Sequence, residues 1–106
     1  MGDNVWILGT TMTKFGRHGD KDLIDLASDA ALGALADGDV TIHDMEVLGV
    51  GSLFNAMAGV GQQLQKQIGQ TGIPVYNVAN ACATGATALR TVYLTIKAGE
   101  ADMGLA

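Results

Sequence analysis

Cys82 is the only thiol in the chain. It sits in Val78-Ala79-Asn80-Ala81-Cys82-Ala83-Thr84-Gly85-Ala86-Thr87-Ala88-Leu89, a run of small residues without a single charge. A lone cysteine is either inert packing or a nucleophile, and its placement favours the second without excluding the first. The segment reads as the junction between a strand ending near Ala79 and a helix beginning at about Cys82. Helix N-termini present unpaired N–H groups and a partial positive charge, and both favour negative charge on a nearby sulfur. Ala81, Ala83 and Gly85 leave room for a substrate carbonyl, and the Cys82 N–H is placed to hold a developing oxyanion. Cys82 is therefore the candidate catalytic residue, a nucleophile aimed by a helix terminus.

The other chemistry-bearing residues offer less. One cysteine and two separated histidines cannot build a metal cluster, so no metal is expected. His18 reads as solvent-facing loop and His43 as turn or surface. Gly59-Val60-Gly61 begins like a dinucleotide fingerprint, but Leu64 stands where the third glycine belongs and the preceding segment reads as loop. The carboxylates between Asp20 and Asp29 read as a solvated helix face and its cap rather than a general acid pair.

Composition narrows the class. The 106 residues allow one domain with a modest core, which a 48% hydrophobic composition can fill. Aromatics make up only 5% while glycine occurs 15 times, which favours closely packed backbones over a core of large rings. A net charge of −5 argues against nucleic acid or an anionic membrane, since both need clustered Lys and Arg. A single cysteine excludes an internal disulfide, and Asp3 and Asn4 follow Met1 and Gly2 without a signal-like start. A reducing cytoplasm is the default compartment. No apolar run approaches the ~20 residues of a spanning helix. From Val47 to Leu89 the only charged residue is Lys66. A free-standing surface scatters charge more evenly, so this third is expected to be covered by further chain, a second subunit, or both.

The elements that must position Cys82 follow from periodicity. Val5-Trp6-Ile7-Leu8-Gly9 reads as a buried strand. After a loop carrying Lys14, Arg17 and His18, Asp20 or Asp22 caps a helix with an apolar stripe at Leu23, Leu26, Ala27, Ala30, Ala31, Ala34 and Leu35. Asp37-Gly38 stops it, with Gly38 expected in the left-handed conformation. Thr41 to Asp44 read as a brief helical turn, and Val47 to Gly51 as a second strand. Residues 52–59 read as loop, Val60 to Ile68 as a short helix, and Pro74 to Ala79 as a third strand with proline at its start. The next helix runs from about Cys82 to Ala98 with Cys82, Ala86, Leu89, Tyr93 and Ile96 on one face. Met103 to Ala106 look like a fourth strand just beginning, which suggests a fragment. Such alternation predicts an α/β fold, a mostly parallel sheet with helices on both faces.

Three segments in order also carry a family resemblance: VWILGTTMTKFGR at 5–17, DLASDAALGALADGDVTIHDMEVLGVG at 25–51, and IPVYNVANACATGATALRTVYLTIKAGEADMGLA at 73–106. Together they resemble the N-terminal part of the thiolase superfamily, closest to the sterol-carrier-protein-type thiolases and their thiolase-like lipid-transfer relatives. The resemblance implies a thiolase-like five-layered fold of two related halves, with residues 1–106 supplying most of the first. It places the acyl-accepting nucleophile on Cys82. It implies thiolysis of 3-ketoacyl-CoA, or the reverse Claisen condensation, with an acyl-CoA substrate, coenzyme A as co-substrate and no permanently bound cofactor. A homodimer meeting through the strand after Pro74 is implied as well. The family's remaining catalytic parts, a histidine in a Gly-His-Pro setting and a second cysteine before a glycine run, lie near its C-terminus, and neither motif occurs here.

Two departures bear on the reaction. Degradative thiolases often carry an Asn-Arg pair shortly before the nucleophile, where this chain has Ala79-Asn80-Ala81. Ala-Cys-Ala-Thr-Gly also occurs in decarboxylating ketoacyl synthases, and the segment Met12-Thr13-Lys14-Phe15-Gly16 favours the thiolase side. Two other functions stay open. One is a thiolase-like retro-aldolase on steroid side-chain CoA esters, a relative that often works with a small zinc-ribbon partner protein and would not need Cys82. The other is a non-catalytic acyl-CoA-binding subunit in which Cys82 merely packs.

Overall fold

Val47 and Leu48 are neighbours in sequence, and both are sealed from solvent. Successive side chains of a strand point to opposite faces, so a sheet that buries both must be covered on both sides. The computed structural model, which describes residues 4–54 and 58–106, shows how this is done. Three strands, β1 (Val47–Gly51), β2 (Val75–Val78) and β3 (Gly104–Leu105), form a parallel sheet in the order β2-β1-β3. The register pairs Leu48 with Val75 and Gly51 with Val78 on one side of β1, and Val47 with Gly104 on the other. Helices α1 (Leu23–Asp37) and α2 (Val60–Ile68) cover one face, and α3 (Thr84–Lys97) covers the other. The predicted α/β architecture is thus the observed one.

The α1 face is held by side-chain bulk. Leu48 packs with Ala31, Leu35, Ile42, Met45, Leu64 and Leu105. Full burial of one such leucine contributes about 1.5–3 kcal/mol. Asp22, one of the two expected caps, starts α1. Its carboxylate accepts the Asp25 N–H at 2.8 Å, while the Asp25 carboxylate accepts the Asp22 N–H at 3.1 Å. That backbone donor, followed by the Gln67 amide, holds the Asp25 carboxyl below its ordinary range. An exposed ion pair joins Lys21 to Asp29 and raises the lysine's pKa. Ile42–Asp44 form the expected brief turn, with Thr41 and Asp44 making a second reciprocal cap.

The helix α2 has the predicted bounds but an unpredicted cap. Gly59 precedes it in the left-handed conformation and has no side chain to offer. Asn77 of β2 supplies the missing acceptor, its Oδ1 taking the Gly61 N–H at 2.7 Å while its Nδ2 donates to Gln62. Gly61 must be glycine here, because a Cβ would stand 2.4 Å from Val75.

Apart from Val47, which packs with Val92 and Ala101, the α3 face is held by the absence of bulk. Gly49, Gly51 and Gly104 line it. A Cβ on Gly49 would stand 2.9 Å from Val92, one on Gly51 2.6 Å from the Thr84 carbonyl oxygen, and one on Gly104 2.5 Å from Val92. The helix therefore lies directly on the sheet backbone, with Thr84, Ala88 and Val92 buried beneath it.

Four expectations are corrected. Residues 5–9 do not form a strand: they carry no regular secondary structure, pair with no strand among the described residues, and leave Trp6 75% exposed. Their anchors are the end of α1, where the Asp37 carboxylate accepts the Thr10 N–H at 2.9 Å and Gly9 abuts Gly38. Gly38 is right-handed, and the positive φ falls on Asp39 instead. Contact with Leu8 and Gly9, not backbone handedness, is what keeps position 38 small. The third helix starts at Thr84 rather than Cys82. Finally, its buried face is Thr84, Ala88 and Val92, and Leu89 and Tyr93 of the predicted face are exposed. The glycine-lined trough admits small and β-branched side chains and leaves the larger ones outside.

Two outcomes follow. Gly51→Ala should lower unfolding stability by ~1–3 kcal/mol, as overpacking does, read as a lower urea midpoint with unchanged slope. A carboxyl whose folded pKa is depressed adds stability above its ordinary range and loses it as pH falls through the folded value. The stability difference between wild type and Asp25→Asn should therefore shrink as pH drops from about 5 towards 3, read from urea midpoints at each pH.

Candidate active site

β2 carries the chain to the carboxyl edge of the sheet, where open parallel sheets gather ligands. The Ser52 N–H donates to the Val78 carbonyl at 3.1 Å, so pairing with β1 persists to the last residue of β2. The chain then turns sharply. Ala81 takes φ +47°, a left-handed conformation that costs an L-residue other than glycine roughly 1–2 kcal/mol. Cys82 comes next and is exposed as a free thiol. Ala83 then caps α3 without a side-chain bond of its own.

Hydrogen bonds from the first turns of α3 reach back to hold this bend. The Thr84 hydroxyl accepts the Asn80 N–H at 2.8 Å and donates to the Ala81 carbonyl at 2.7 Å. The Ala83 N–H donates to the Asn80 carbonyl at 2.9 Å. One turn further on, Thr87 donates its hydroxyl to the Ala83 carbonyl at 2.9 Å and accepts from the Asn80 carboxamide at 3.1 Å. Asn80, one residue of the departure from the Asn-Arg pattern, thus spends its side chain inside the bend. Thr84 itself is only 7% exposed, wedged under the position where Gly51 lacks a side chain.

Cys82 therefore stands one residue outside the cap of α3 rather than in the helix's first turn. Two N–H groups at this end are taken within the bend, that of Ala83 by the Asn80 carbonyl and that of Thr84 by the Ala81 carbonyl at 3.3 Å, while the helix end keeps its partial positive charge. The sequence reading found the cysteine but missed Asn80, Thr84 and Thr87. The signal available was Asn80 followed at four and seven residues by Thr, a spacing at which helix-entry hydroxyls bond back to a preceding turn.

The remaining candidates lie elsewhere. His18 is half-buried in the loop before α1, its Nε2 2.7 Å from the Lys14 carbonyl oxygen, and His43 is exposed in the turn of Ile42–Asp44. Both belong to the α1 side of the molecule. Gly59-Val60-Gly61 does open a helix, but the Asn77 carboxamide occupies the Gly61 N–H that a phosphate would need. Among the described residues no group of three or more His, Cys, Asp or Glu is placed to hold a metal ion. Two shallow depressions of about 230 and 380 Å³ lie between α1 and α2, lined by Asp22, Ile24 and Gln63 among others, and neither includes Cys82. No helix among the described residues is long and apolar enough to cross a membrane.

Known proteins match this geometry. A solved 3-oxoacyl-[acyl-carrier-protein] synthase III from Aquifex aeolicus superimposes with a TM-score of 0.70 at 19% identity, covering 88% of this chain and 31% of that one, a likeness of fold. Sterol carrier protein 2 from Bos taurus is 36% identical over 106 residues, which is 98% of this chain and 20% of the relative. An acetyl-CoA acetyltransferase from Methanothermobacter thermautotrophicus is 32% identical over 107 residues, 97% of this chain and 28% of that protein. The chain thus spans between a fifth and three tenths of the length of these curated relatives. The family model described as the thiolase N-terminal domain matches residues 5–106. On that match, and on a parallel α/β sheet of the same fold, the chain belongs to the thiolase superfamily.

Proposed function

We propose that this chain carries the nucleophile of a thiolase-type acyl-CoA acyltransferase. The observation that carries the reading is the exposure of Cys82 on a braced bend at the carboxyl end of β2, beside the amide end of α3. In the thiolysis direction the Cys82 sulfur attacks the 3-keto carbon of a 3-ketoacyl-CoA. The tetrahedral oxyanion collapses, the bond between carbons 2 and 3 breaks, and the acyl group stays on sulfur as a thioester. The electron pair leaves on carbon 2 of the two-carbon fragment that keeps the original CoA, the enolate of acetyl-CoA for an unbranched substrate, which takes a proton. Free coenzyme A then removes the acyl group, and the reverse sequence is Claisen condensation. The thioester divides one difficult carbon–carbon cleavage into two easier steps.

Proton transfers in this scheme fall to groups other than His18 and His43, which lie on the α1 side. The family's second cysteine and its Gly-His-Pro histidine are the expected agents, so these 106 residues alone should not turn over. Walls for the acyl-CoA are expected from the second half that the family fold supplies. The scheme requires coenzyme A as co-substrate and no resident cofactor.

A second reading draws on the name of a relative, sterol carrier protein 2: an acyl-CoA- or lipid-binding protein in which Cys82 does no chemistry. Incubation of the complete protein with an acyl-CoA, followed by peptide mass spectrometry, separates the two. The acyltransferase reading expects the mass of the acyl group on Cys82 and a loss of turnover of at least ~10³-fold in Cys82→Ala. An unmodified Cys82 in a protein that still turns over points to retro-aldol chemistry, and ligand binding without turnover points to the carrier.

The assembly is also proposed to be a homodimer joined through the strand after Pro74. In support, β2 is an outer strand of the sheet order, and Tyr76 on it and Ala79 just after it are exposed in the stretch where Lys66 is the sole charge. Ala79→Asp would bury a carboxylate in such an interface, and it should halve the sedimenting mass at micromolar concentration. An unchanged profile removes the dimer.

A further inference from the structure

We infer that Thr84 is a positioning residue for Cys82, acting through its hydroxyl rather than its bulk. The inference rests on the acyltransferase reading for its consequence, but the geometry stands apart from it. Three features converge on one side chain. The hydroxyl bonds both peptide groups that flank the bend, accepting the Asn80 N–H and donating to the Ala81 carbonyl. The residue between those bonds, Ala81, is the one held in the left-handed conformation immediately before the cysteine. The side chain that makes them is almost fully buried, packed where any Cβ on Gly51 would strike its γ-methyl and carbonyl oxygen.

Each feature has a consequence. Burial fixes the hydroxyl relative to β1 and not merely relative to its own helix. The double hydrogen bond uses both capacities of a hydroxyl, one donor and one acceptor, so neither peptide group can swing without leaving a buried partner unpaired. With Asn80 and Ala81 fixed in this way, the backbone of Cys82 has one direction in which to leave the bend. Thr87 braces the same bend from the far side through the Asn80 carboxamide and the Ala83 carbonyl. It lies nearer solvent, which makes Thr84 the inner and more constrained of the two.

The test uses three variants that differ by one group at a time. Thr84→Val keeps the shape and removes the hydroxyl, Thr84→Ser keeps the hydroxyl and removes the methyl, and Thr84→Ala removes both. Amide hydrogen exchange at Asn80 reads the bond directly, and alkylation of Cys82 by iodoacetamide reads the thiol without any acyl chemistry. Asn80 protection in Val and Ala should fall about tenfold, the equivalent of one hydrogen bond. Cys82 alkylation should change by a similar factor in both, with Ser within about twofold of wild type in each measurement. In the complete enzyme, the same two variants should lower kcat for acylation while leaving KM within about twofold. If Val does not fold, the Ser and Ala pair still differs by the hydroxyl alone. Wild-type Asn80 exchange in Val or Ala, or a Ser variant as impaired as Ala, overturns the inference. A Cys82 that is never acylated defeats the proposed function and leaves the exchange and alkylation results to decide on Thr84.

Discussion

The close seating of α3 on the sheet is the constraint from which the rest of the structure follows. Three glycines, Gly49 and Gly51 from β1 and Gly104 from β3, let helix and strands close, and Val47 is the one β1 side chain packed on that face, with Val92 and Ala101. Gly49 and Gly51 alternate on one face of β1 by the two-residue period of a strand, while Leu48, pointing the other way, anchors the opposite core. One strand thereby faces two different kinds of packing, large side chains towards α1 and α2 and, beyond Val47, bare backbone towards α3. The first turn of α3 is fixed against the last residue of β1, and the bend carrying Cys82 is fixed to that turn.

The opposite layer supports the same strand pair by different means. Asn77 of β2 caps α2, and Gly61 lets that helix come close enough for the bond. Asn77 stands three residues before Asn80, so β2 is gripped from the α2 side just before it enters the bend. The site is thus braced from both faces of the sheet, and the two braces use polar groups that are satisfied internally. Carboxamides and hydroxyls suit this task because each offers a donor and an acceptor together.

Much of this was legible in the sequence, and the failures have physical causes. Alternation of apolar runs and helical stripes gave the parallel sheet, and the bounds of α2 were read correctly from Val60 to Ile68. The family resemblance was legible because several segments matched in register rather than one motif. Residues 5–9 misled because an apolar run specifies burial and not a partner, and no described strand lies beside them. The face of α3 misled because periodicity was taken to follow side-chain size. A trough of glycines selects the small face instead, so Thr84, Ala88 and Val92 turn inward while Leu89 and Tyr93 turn out. Gly38 misled because a glycine after a helix has two possible reasons, handedness and close approach, and only the fold shows which applies. Cys82 could be singled out by composition, whereas Thr84 is marked only by its four-residue spacing from Asn80, a fainter signal than a lone thiol.

The energetics of the bend show why such a partner is needed. The left-handed Ala81 costs about 1–2 kcal/mol, and nothing in an alanine side chain offsets that locally. The two hydrogen bonds of the Thr84 hydroxyl contribute about 0.5–1.5 kcal/mol each, a sum of the same size. Strain and support therefore nearly cancel. The cancellation holds only while Thr84 stays buried, and its burial depends on the empty position at Gly51. A bare Cα on the central strand is in this way a condition for the conformation of a loop on the far side of a helix turn, and hence for where the thiol of Cys82 can stand.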